Sequence, residues 1–176
     1  MPAPGATHGA GIEPGLTRLP GSVRKVCPVV LRDGAILAFR HPRAGCQLVK
    51  GTPESGETAA RTALRELREE SGLTLTPLRH LGRLPVAVPG MVWDFVLMQG
   101  GIIPDRFAHH CDDDGGHLFR FFWHPLGAGG GREWHLAHVH ALRQVNRLLV
   151  RKHPAQDTRR SPMRCARHAR QASPNA

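Results

Sequence analysis

The stretch GTPESGETAARTALRELREESGL, from Gly51 to Leu73, decides the fold, because charged side chains crowd a segment that is otherwise rich in alanine and leucine. Three of its glutamates, Glu66, Glu69 and Glu70, stand at the i, i+3 and i+4 positions of one helix face. Like charges at this spacing destabilise an isolated helix. The pattern therefore predicts a helix whose carboxylates share a cation or a positively charged partner.

Both ends of this helix are marked in the sequence. Thr58 is a suitable N-cap, and Gly72 can adopt the left-handed conformation that ends a helix. We expect about four turns between them. One apolar stripe is then predicted to pack on a sheet, formed by Ala60, Ala63, Leu64 and Leu67.

Clustered carboxylates have a clear chemical use. They can hold a hard divalent cation through oxygen ligands, or one can act as a base beside the metal. Magnesium takes few protein carboxylates and leaves positions for water and substrate phosphates, so a phosphate substrate is implied. Arg65 lies four residues before Glu69 and can orient a carboxylate. The alternative is a solvated helix face with ordinary Glu/Arg pairs, and composition alone leaves both open.

The spacing separates these alternatives, because nine fixed positions match the pattern G-x5-E-x7-R-E-U-x-E-E-x-G-U, where U is aliphatic. They are Gly51, Glu57, Arg65, Glu66, Leu67, Glu69, Glu70, Gly72 and Leu73. The chain resembles the Nudix hydrolase family through this complete Nudix box. The resemblance implies an α/β class fold, the Nudix-type α/β/α sandwich with a mixed β-sheet. It also implies magnesium- or manganese-dependent hydrolysis of a nucleoside diphosphate linked to another moiety.

The same resemblance implies roles for the residues of the box. Glu66, Glu69 and Glu70 would be metal ligands, together with the backbone carbonyl at or next to Gly51. Arg65, Glu66 and Glu69 would be catalytic, and Glu57 would support the site. The glutamate that serves as general base differs within the family, so the resemblance does not assign it.

The rest of the folded region alternates between strand-like and helix-like runs. Asp33-Gly34 is a hairpin signal between residues 23–31 and 35–41, which we expect to be antiparallel neighbours. Residues 82–88, 91–99 and 117–126 are further predicted strands. A last amphipathic helix is predicted from about residue 133 to 152, with apolar residues at helical spacing: Leu136, Val139, Leu142, Val145, Leu148 and Leu149.

Two features outside the box bear on the substrate. Pro89 and Asp94 resemble the downstream proline and acidic residue of ADP-ribose pyrophosphatases, although Pro89-Gly90 also makes an ordinary turn. The chain has no tyrosine, which weakens a likeness to many diadenosine polyphosphate hydrolases. House-cleaning hydrolysis of (deoxy)nucleoside triphosphates and a non-catalytic nucleotide-sensing role remain the alternatives.

The second feature is the segment HHCDDDGGH, residues 109–117. An aspartate among residues 112–114 could bring a further carboxylate to the metal, and His109, His110 or His117 could contact a phosphate or act as an acid. Of these, Asp113 and His117 are predicted to bind substrate. Asp-Gly-Gly is also a common turn, and histidines in polar loops are often incidental.

The two ends of the chain differ from the middle. Residues 1–22 are predicted to be a flexible leader rather than a signal peptide, residues 23–153 the folded domain and residues 154–176 a basic disordered tail. From Arg151 onward there are seven Lys/Arg against Asp157, which accounts for more than half of the net charge of +10. No aromatic residue interleaves these arginines, so a solvated appendage is favoured over a nucleic-acid contact.

Cysteines and hydropathy bear on the location of the protein. The four cysteines form no paired motif, which favours reduced thiols in the cytoplasm. No run approaches the ~18 apolar residues that a membrane span requires. We therefore expect a cytoplasmic protein with a nucleotide-derived small-molecule substrate and no membrane partner. The oligomeric state is not indicated by the sequence.

Overall fold

The computed structural model describes residues 22–112 and 116–152. Their β-strands form two sheets, and two α-helices pack against them. No helix in these two ranges is long and apolar enough to cross a membrane. The predictions for the leader, for the basic tail and for Asp113 fall on residues outside the described ranges.

The first sheet has three strands and mixed directions. Strand β1 (Val23–Val29) runs parallel to β6 (Met91–Met98), which pairs on its other side with the antiparallel strand β5 (Pro77–Pro85). Val26 also forms a bridge with Gly51, so this sheet holds the start of the charged loop that precedes the first helix.

The second sheet is antiparallel. Its strand order is β2 (Leu31–Arg32), β3 (Ala35–His41), β8 (His117–Pro125) and β7 (Arg106–Cys111), and β4 (Gly45–Gln47) also pairs with β3. A short 3-10 helix, Leu126–Ala128, follows β8. Strands β4 and β7 were not expected from the sequence. In β7, the exposed Ala108 is apolar and the half-buried His109 is polar, so the sequence lacks the apolar/polar alternation that predicts a strand.

The hairpin prediction is right only at its tip. Asp33 and Gly34 both have positive φ, 49° and 75°, and the turn joins β2 to β3. The sequence predicts that residues 23–31 pair antiparallel with β3. Residues 23–29 instead run parallel to β6 in the other sheet. Since Val26, Cys27 and Val29 are fully buried, the run lacks the alternation that would have shown which neighbour it has.

The first helix, α1 (Ala59–Ser71), has the predicted ends. The Thr58 hydroxyl accepts a hydrogen bond from the Arg61 backbone N–H, and Gly72 adopts φ 72°. Its predicted apolar stripe is only partly right, because Ala60 is exposed and Leu64 is half-buried. The buried face consists of Thr62, Ala63, Glu66, Leu67, Glu70 and Ser71. The helix is therefore rotated so that two carboxylates point inward.

The second helix, α2 (Leu136–Lys152), begins about three residues later than expected. Leu136 is 62% exposed, and the buried positions are Ala137, His138, Ala141, Leu142, Val145 and Leu148. These apolar residues join Cys27, Trp93 and Phe95 in one core, whereas Leu67 of α1 joins Val26, Val96 and Phe121 in another. The helices thus cover opposite faces of the strands, which confirms the α/β/α architecture.

Candidate active site

The side chain of Arg65 joins three glutamates of the charged segment into one hydrogen-bonded group. Its guanidinium donates to both carboxylate oxygens of Glu57, at 3.1 and 3.0 Å. Its Nη1 donates to Glu66 Oε1 at 2.7 Å and to Glu69 Oε2 at 2.9 Å. A further bond to the Thr52 carbonyl ties the loop to the helix. Arg65 therefore offsets the repulsion that the sequence pattern raised.

Glu57 is the structural partner of Arg65. Besides the arginine, it accepts hydrogen bonds from the Glu54 backbone N–H at 2.9 Å and from the Thr62 hydroxyl at 3.0 Å. Hydrogen bonding to Arg65, with smaller contributions from the Glu54 backbone and Thr62, lowers the pKa of Glu57 to about 2 although its burial opposes this. Glu57 therefore stays ionised and fixes the loop at the start of α1.

The three glutamates of the cluster differ in burial. Glu66 and Glu70 are 6% and 8% exposed, whereas the Glu69 side chain is 38% exposed. Burying an ionised carboxylate is costly unless a cation or hydrogen-bond donors surround it. The two buried carboxylates are therefore the positions where a cation stabilises the site most.

Gly51 leaves room for one of these carboxylates. A Cβ at this position would lie 1.7 Å from the Glu66 carboxylate, so no larger residue fits without displacing it. The backbone of Gly51 pairs with Val26, its carbonyl accepting at 2.8 Å and its N–H donating at 3.0 Å. One lone pair of the Gly51 carbonyl oxygen thus accepts this hydrogen bond. The role of this carbonyl as a metal ligand stays a prediction.

A cavity of about 600 Å³ opens beside these residues. Glu66, Glu70 and Gly51 lie on its wall, and Lys25 and Lys50 bring positive charge to it. Lys25 Nζ donates to the Thr52 hydroxyl at 2.7 Å, which holds the amine beside the loop. Buried carboxylates and ammonium groups in one cleft suit a metal-bound anionic substrate.

His117 also lines this cavity, as predicted for a substrate-binding residue, at the start of β8. Its Nε2 lies 2.7 Å from Arg43 Nη2, and its ring packs edge-on to His41 with centroids 4.8 Å apart. The structure thus brings His117 to the same cleft as Glu66 and Glu70. Its contact with substrate stays a prediction.

Pro89 and Asp94 do not line the cavity. Pro89 is exposed in the turn between β5 and β6. Asp94 is 1% exposed and accepts hydrogen bonds from Arg24, His80 and Arg83. Burial alone would raise the pKa of Asp94, but these three donors outweigh it and lower the pKa. This carboxylate stabilises the first sheet.

The cavity residues that escaped the sequence analysis include Lys25, His41 and Arg43. Lys25 lies in β1, and the other two lie at the end of β3 and just beyond it. Each lies outside the box in sequence, and the fold brings it to the cavity beside the box residues. The one available signal was the run of charged and ring-bearing residues RHPR that follows the apolar part of β3.

The donor set fits a hard divalent cation. Among the residues that the structure describes, no three His, Cys, Asp or Glu side chains are already arranged around a common metal position. Glu57, Glu66 and Glu69 instead converge on Arg65. Magnesium commonly takes only one or two protein carboxylates and completes its shell with water and phosphate. Glu66 and Glu70, both buried at the cavity, are suited to that arrangement.

Comparison with known proteins agrees with this geometry. A family model described as NUDIX domain matches residues 22–128. No curated protein sequence matches the chain. Similar solved structures include a UDP-X diphosphatase, 14% identical over 81% of this chain and 70% of that chain, with a TM-score of 0.54.

Two further structures share the fold. An ADP compounds hydrolase is 22% identical over 73% of this chain and 74% of that chain, with a TM-score of 0.55. An ADP-ribose pyrophosphatase from Streptococcus suis 89-1591 is 13% identical over 76% of this chain and 93% of that chain, with a TM-score of 0.53. With the box residues gathered around Arg65 and a family match across most of the folded region, the chain belongs to the Nudix family of hydrolases, which act on pyrophosphate bonds.

Proposed function

We propose that the protein is a metal-dependent pyrophosphohydrolase that cleaves the diphosphate linkage of a nucleoside diphosphate joined to another moiety. The observation that carries this proposal is the pair of buried carboxylates, Glu66 and Glu70, on the wall of a cavity that also holds Lys25 and Lys50. Buried anions beside cations fit a substrate whose own charge is carried by phosphate and balanced by Mg²⁺ or Mn²⁺.

Each residue has a separate task in the proposed reaction. Glu66 and Glu70, with Glu69 nearer to solvent, hold the metal. Arg65 holds Glu66 and Glu69 in place through bonds of 2.7 and 2.9 Å. Lys25 and Lys50 neutralise phosphate oxygens. The bound metal supplies charge neutralisation and lowers the pKa of water.

The bond changes follow from hydrolysis of a phosphoric anhydride. A water oxygen forms a bond to one phosphorus, and the bridging P–O bond breaks, with its electron pair passing to the leaving phosphate oxygen. The proton of the attacking water passes to a carboxylate oxygen of the cluster. Glu69 is the most accessible of the three carboxylates that Arg65 holds, which favours it as the group that exchanges this proton with solvent.

The substrate class rests on similar solved structures and on the lining of the cavity. Three structural relatives are described as acting on UDP-X, ADP compounds and ADP-ribose, all nucleoside diphosphate derivatives. Asp94 and Pro89, which resemble residues of ADP-ribose pyrophosphatases, do not line the cavity, so the proposal does not rest on them. We therefore propose a nucleoside diphosphate derivative over a nucleoside triphosphate without assigning the ADP-ribose part.

A substrate panel with Mg²⁺ or Mn²⁺ tests the proposal. It contains ADP-ribose, nucleotide sugars, dinucleoside polyphosphates and (deoxy)nucleoside triphosphates, and phosphate-bearing products are separated by chromatography. We expect cleavage of nucleoside diphosphate derivatives to be fastest. A clear preference for triphosphates would refute the proposed class, and binding without product from any of them would favour a sensing domain.

A further inference from the structure

Arg43 and His117 form a fixed pair on the cavity wall. Arg43 follows β3, and its Nη2 lies 2.7 Å from His117 Nε2 at the start of β8. A guanidinium is always protonated and donates only, so His117 Nε2 must accept. The imidazole is then neutral in this contact and carries its proton on Nδ1.

The turn that carries Arg43 is itself braced. His41 Nδ1 accepts hydrogen bonds from the backbone N–H groups of Arg43 and Ala44, each at 3.1 Å. The His41 ring packs against His117 at 4.8 Å and against Phe119 at 5.3 Å, measured between centroids. His41 therefore fixes the backbone of this turn, and the exposed side chain of Arg43 is oriented by the bond between its guanidinium and His117.

Among the described residues that line the cavity, this wall contributes no carboxylate. The carboxylates that line the cavity are Glu66 and Glu70, and both belong to α1. The bond to His117 uses one N–H of Arg43, and its other side-chain N–H groups form no hydrogen bond with any residue in the described ranges. The wall between β3 and β8 thus favours a ligand group that offers acceptors.

We infer that Arg43, oriented by His117, selects the nucleobase of the substrate and favours guanine. This inference rests on the proposed function. Guanine offers two adjacent acceptors, O6 and N7, which match the two-pronged donor of an arginine, whereas adenine places the N6 amino donors beside N7. A nucleobase is also flat, and the half-buried rings of His41 and His117 give it a surface to stack on.

A base fits this wall better than a further phosphate. Lys25 and Lys50 already bring compact, strongly hydrated charges to the cavity near the carboxylates, and such groups suit phosphate oxygens. The guanidinium of Arg43 is planar and is bonded to the ring of His117, which suits a planar partner.

Three substrates that differ only in the base test this inference: GDP-glucose, UDP-glucose and ADP-glucose. With Mg²⁺ present, we expect kcat/KM for GDP-glucose to exceed that for ADP-glucose by about tenfold or more. The variant R43K keeps the charge but loses the planar guanidinium with its paired N–H donors. It should lower kcat/KM for GDP-glucose about tenfold and change kcat/KM for ADP-glucose less than about twofold.

R40K is the matched control, because Arg40 lies in β3 but is exposed and does not line this cavity, so the base preference should stay unchanged. If R43K does not fold, H117F replaces it. This variant removes the imidazole acceptor that orients Arg43 but keeps a ring, and we expect it to lose the preference for guanine as well.

Equilibrium binding of GDP and ADP, measured by calorimetry, separates this inference from the proposed function. If no nucleotide sugar is cleaved but GDP binds about tenfold tighter than ADP and R43K removes that difference, the proposed reaction fails and the base site stands. Equal affinity for GDP and ADP, a preference for UDP-glucose, or an equal loss on all three sugars in R43K would overturn the inference. The last result would identify Arg43 as a phosphate contact.

Discussion

At the scale of single residues, one arginine decides where the carboxylates of the site lie. Arg65 bonds to Glu57, Glu66 and Glu69, and burial beside these anions leaves its side chain only 22% exposed. Hydrogen bonding to Glu57, opposed by burial and reinforced by Glu66 and Glu69, raises the pKa of Arg65. A planar donor with several N–H groups is needed for this geometry, and an ammonium cannot replace it.

Arg65→Lys should therefore lower kcat by about tenfold or more while the protein remains folded. The lysine keeps the positive charge but cannot bond to Glu57 and Glu66 together, so the carboxylates lose their orientation. Steady-state kinetics on the best substrate, with circular dichroism as a folding control, measure the effect. A variant with the kcat of the wild-type protein would show that Arg65 does not position the site.

Gly51→Ala should lower the free energy of unfolding by about 1–3 kcal/mol, because the added Cβ would overlap the Glu66 carboxylate. Urea unfolding measures the change. Gly100→Ala is the control, since a Cβ there meets no atom within 4 Å and should change the free energy by less than about 0.5 kcal/mol. Equal effects of the two substitutions would contradict the close approach of Gly51 to Glu66.

At the scale of elements, the second helix contributes a buried histidine that links it to the chain after β4. His138 is 2% exposed, and its Nδ1 accepts a hydrogen bond from the Leu48 backbone N–H at 2.9 Å. Burial, with smaller contributions from Lys50 and His135, lowers the pKa of His138 to about 2. The folded protein therefore holds this imidazole neutral, whereas the unfolded chain protonates it near pH 6.5.

Stability should consequently fall as the solution is acidified. The contribution of neutral His138 is complete above about pH 6.5, and it is lost progressively toward pH 2 because only the unfolded chain binds the proton in that window. The slope is about 1.4 kcal/mol per pH unit.

Urea unfolding at several pH values between 7 and 4 tests this with His138→Gln, whose amide oxygen can still accept the Leu48 hydrogen bond. The free energy of unfolding of the variant should change less steeply with pH, by about 1.4 kcal/mol per pH unit. Parallel curves for the two proteins would contradict a neutral buried imidazole.

The elements that the sequence predicts well are those with local signals. Thr58 and Gly72 mark the ends of α1, and Asp33 and Gly34 mark the turn before β3, because caps and tight turns depend on neighbouring residues. The pairing of β1 with β6 depends on residues about 70 positions apart, and a strand buried on both faces has no alternation to indicate its register. The rotation of α1 toward Glu66 and Glu70 likewise follows from packing rather than from the hydrophobic stripe.

In the candidate site too, residues with a local sequence signal were predictable, and residues that only the fold brings together were not. The box residues were predictable because their spacing is a property of one loop and one helix. Lys25, His41 and Arg43 were not, because two sheets must assemble before these side chains reach the cavity. Asp94 shows the converse, since an acidic residue at a suggestive position is engaged by Arg24 and Arg83 elsewhere in the sheet.

At the scale of the whole molecule, two sheets and two helices enclose cores on opposite faces of the strands, and the carboxylates of α1 lie where the sheets meet the loop at Gly51. Helix α1 contacts strands of both sheets, so the position of its glutamates depends on the complete fold. The basic residues beyond α2 lie outside the described ranges, and their role is therefore a question for experiment.

Ending the chain after His153 should leave metal-dependent hydrolysis nearly unchanged at 0.15 M salt. The sequence predicts a disordered tail with few large apolar residues, so its removal should leave the core intact, and its charge is screened over about 8 Å at that salt concentration. A small rise in KM at low ionic strength is compatible with steering of an anionic substrate. Steady-state kinetics of the truncated and full chains measure this, and a large fall in kcat would show that the tail acts at the site.

The most direct test of the central claim is the initial rate of diphosphate cleavage by Glu70→Gln with Mg²⁺ present. Glu70 is buried at the cavity, and its loss should lower the rate by at least ~100-fold, because the substitution removes a carboxylate that we propose as a metal ligand. Glu133→Gln is the control, since Glu133 is an exposed carboxylate outside the cavity, and it should retain the wild-type rate. A wild-type rate in Glu70→Gln, or an undiminished rate after removal of divalent metal with a chelator, would contradict a metal-dependent hydrolase built on this carboxylate cluster.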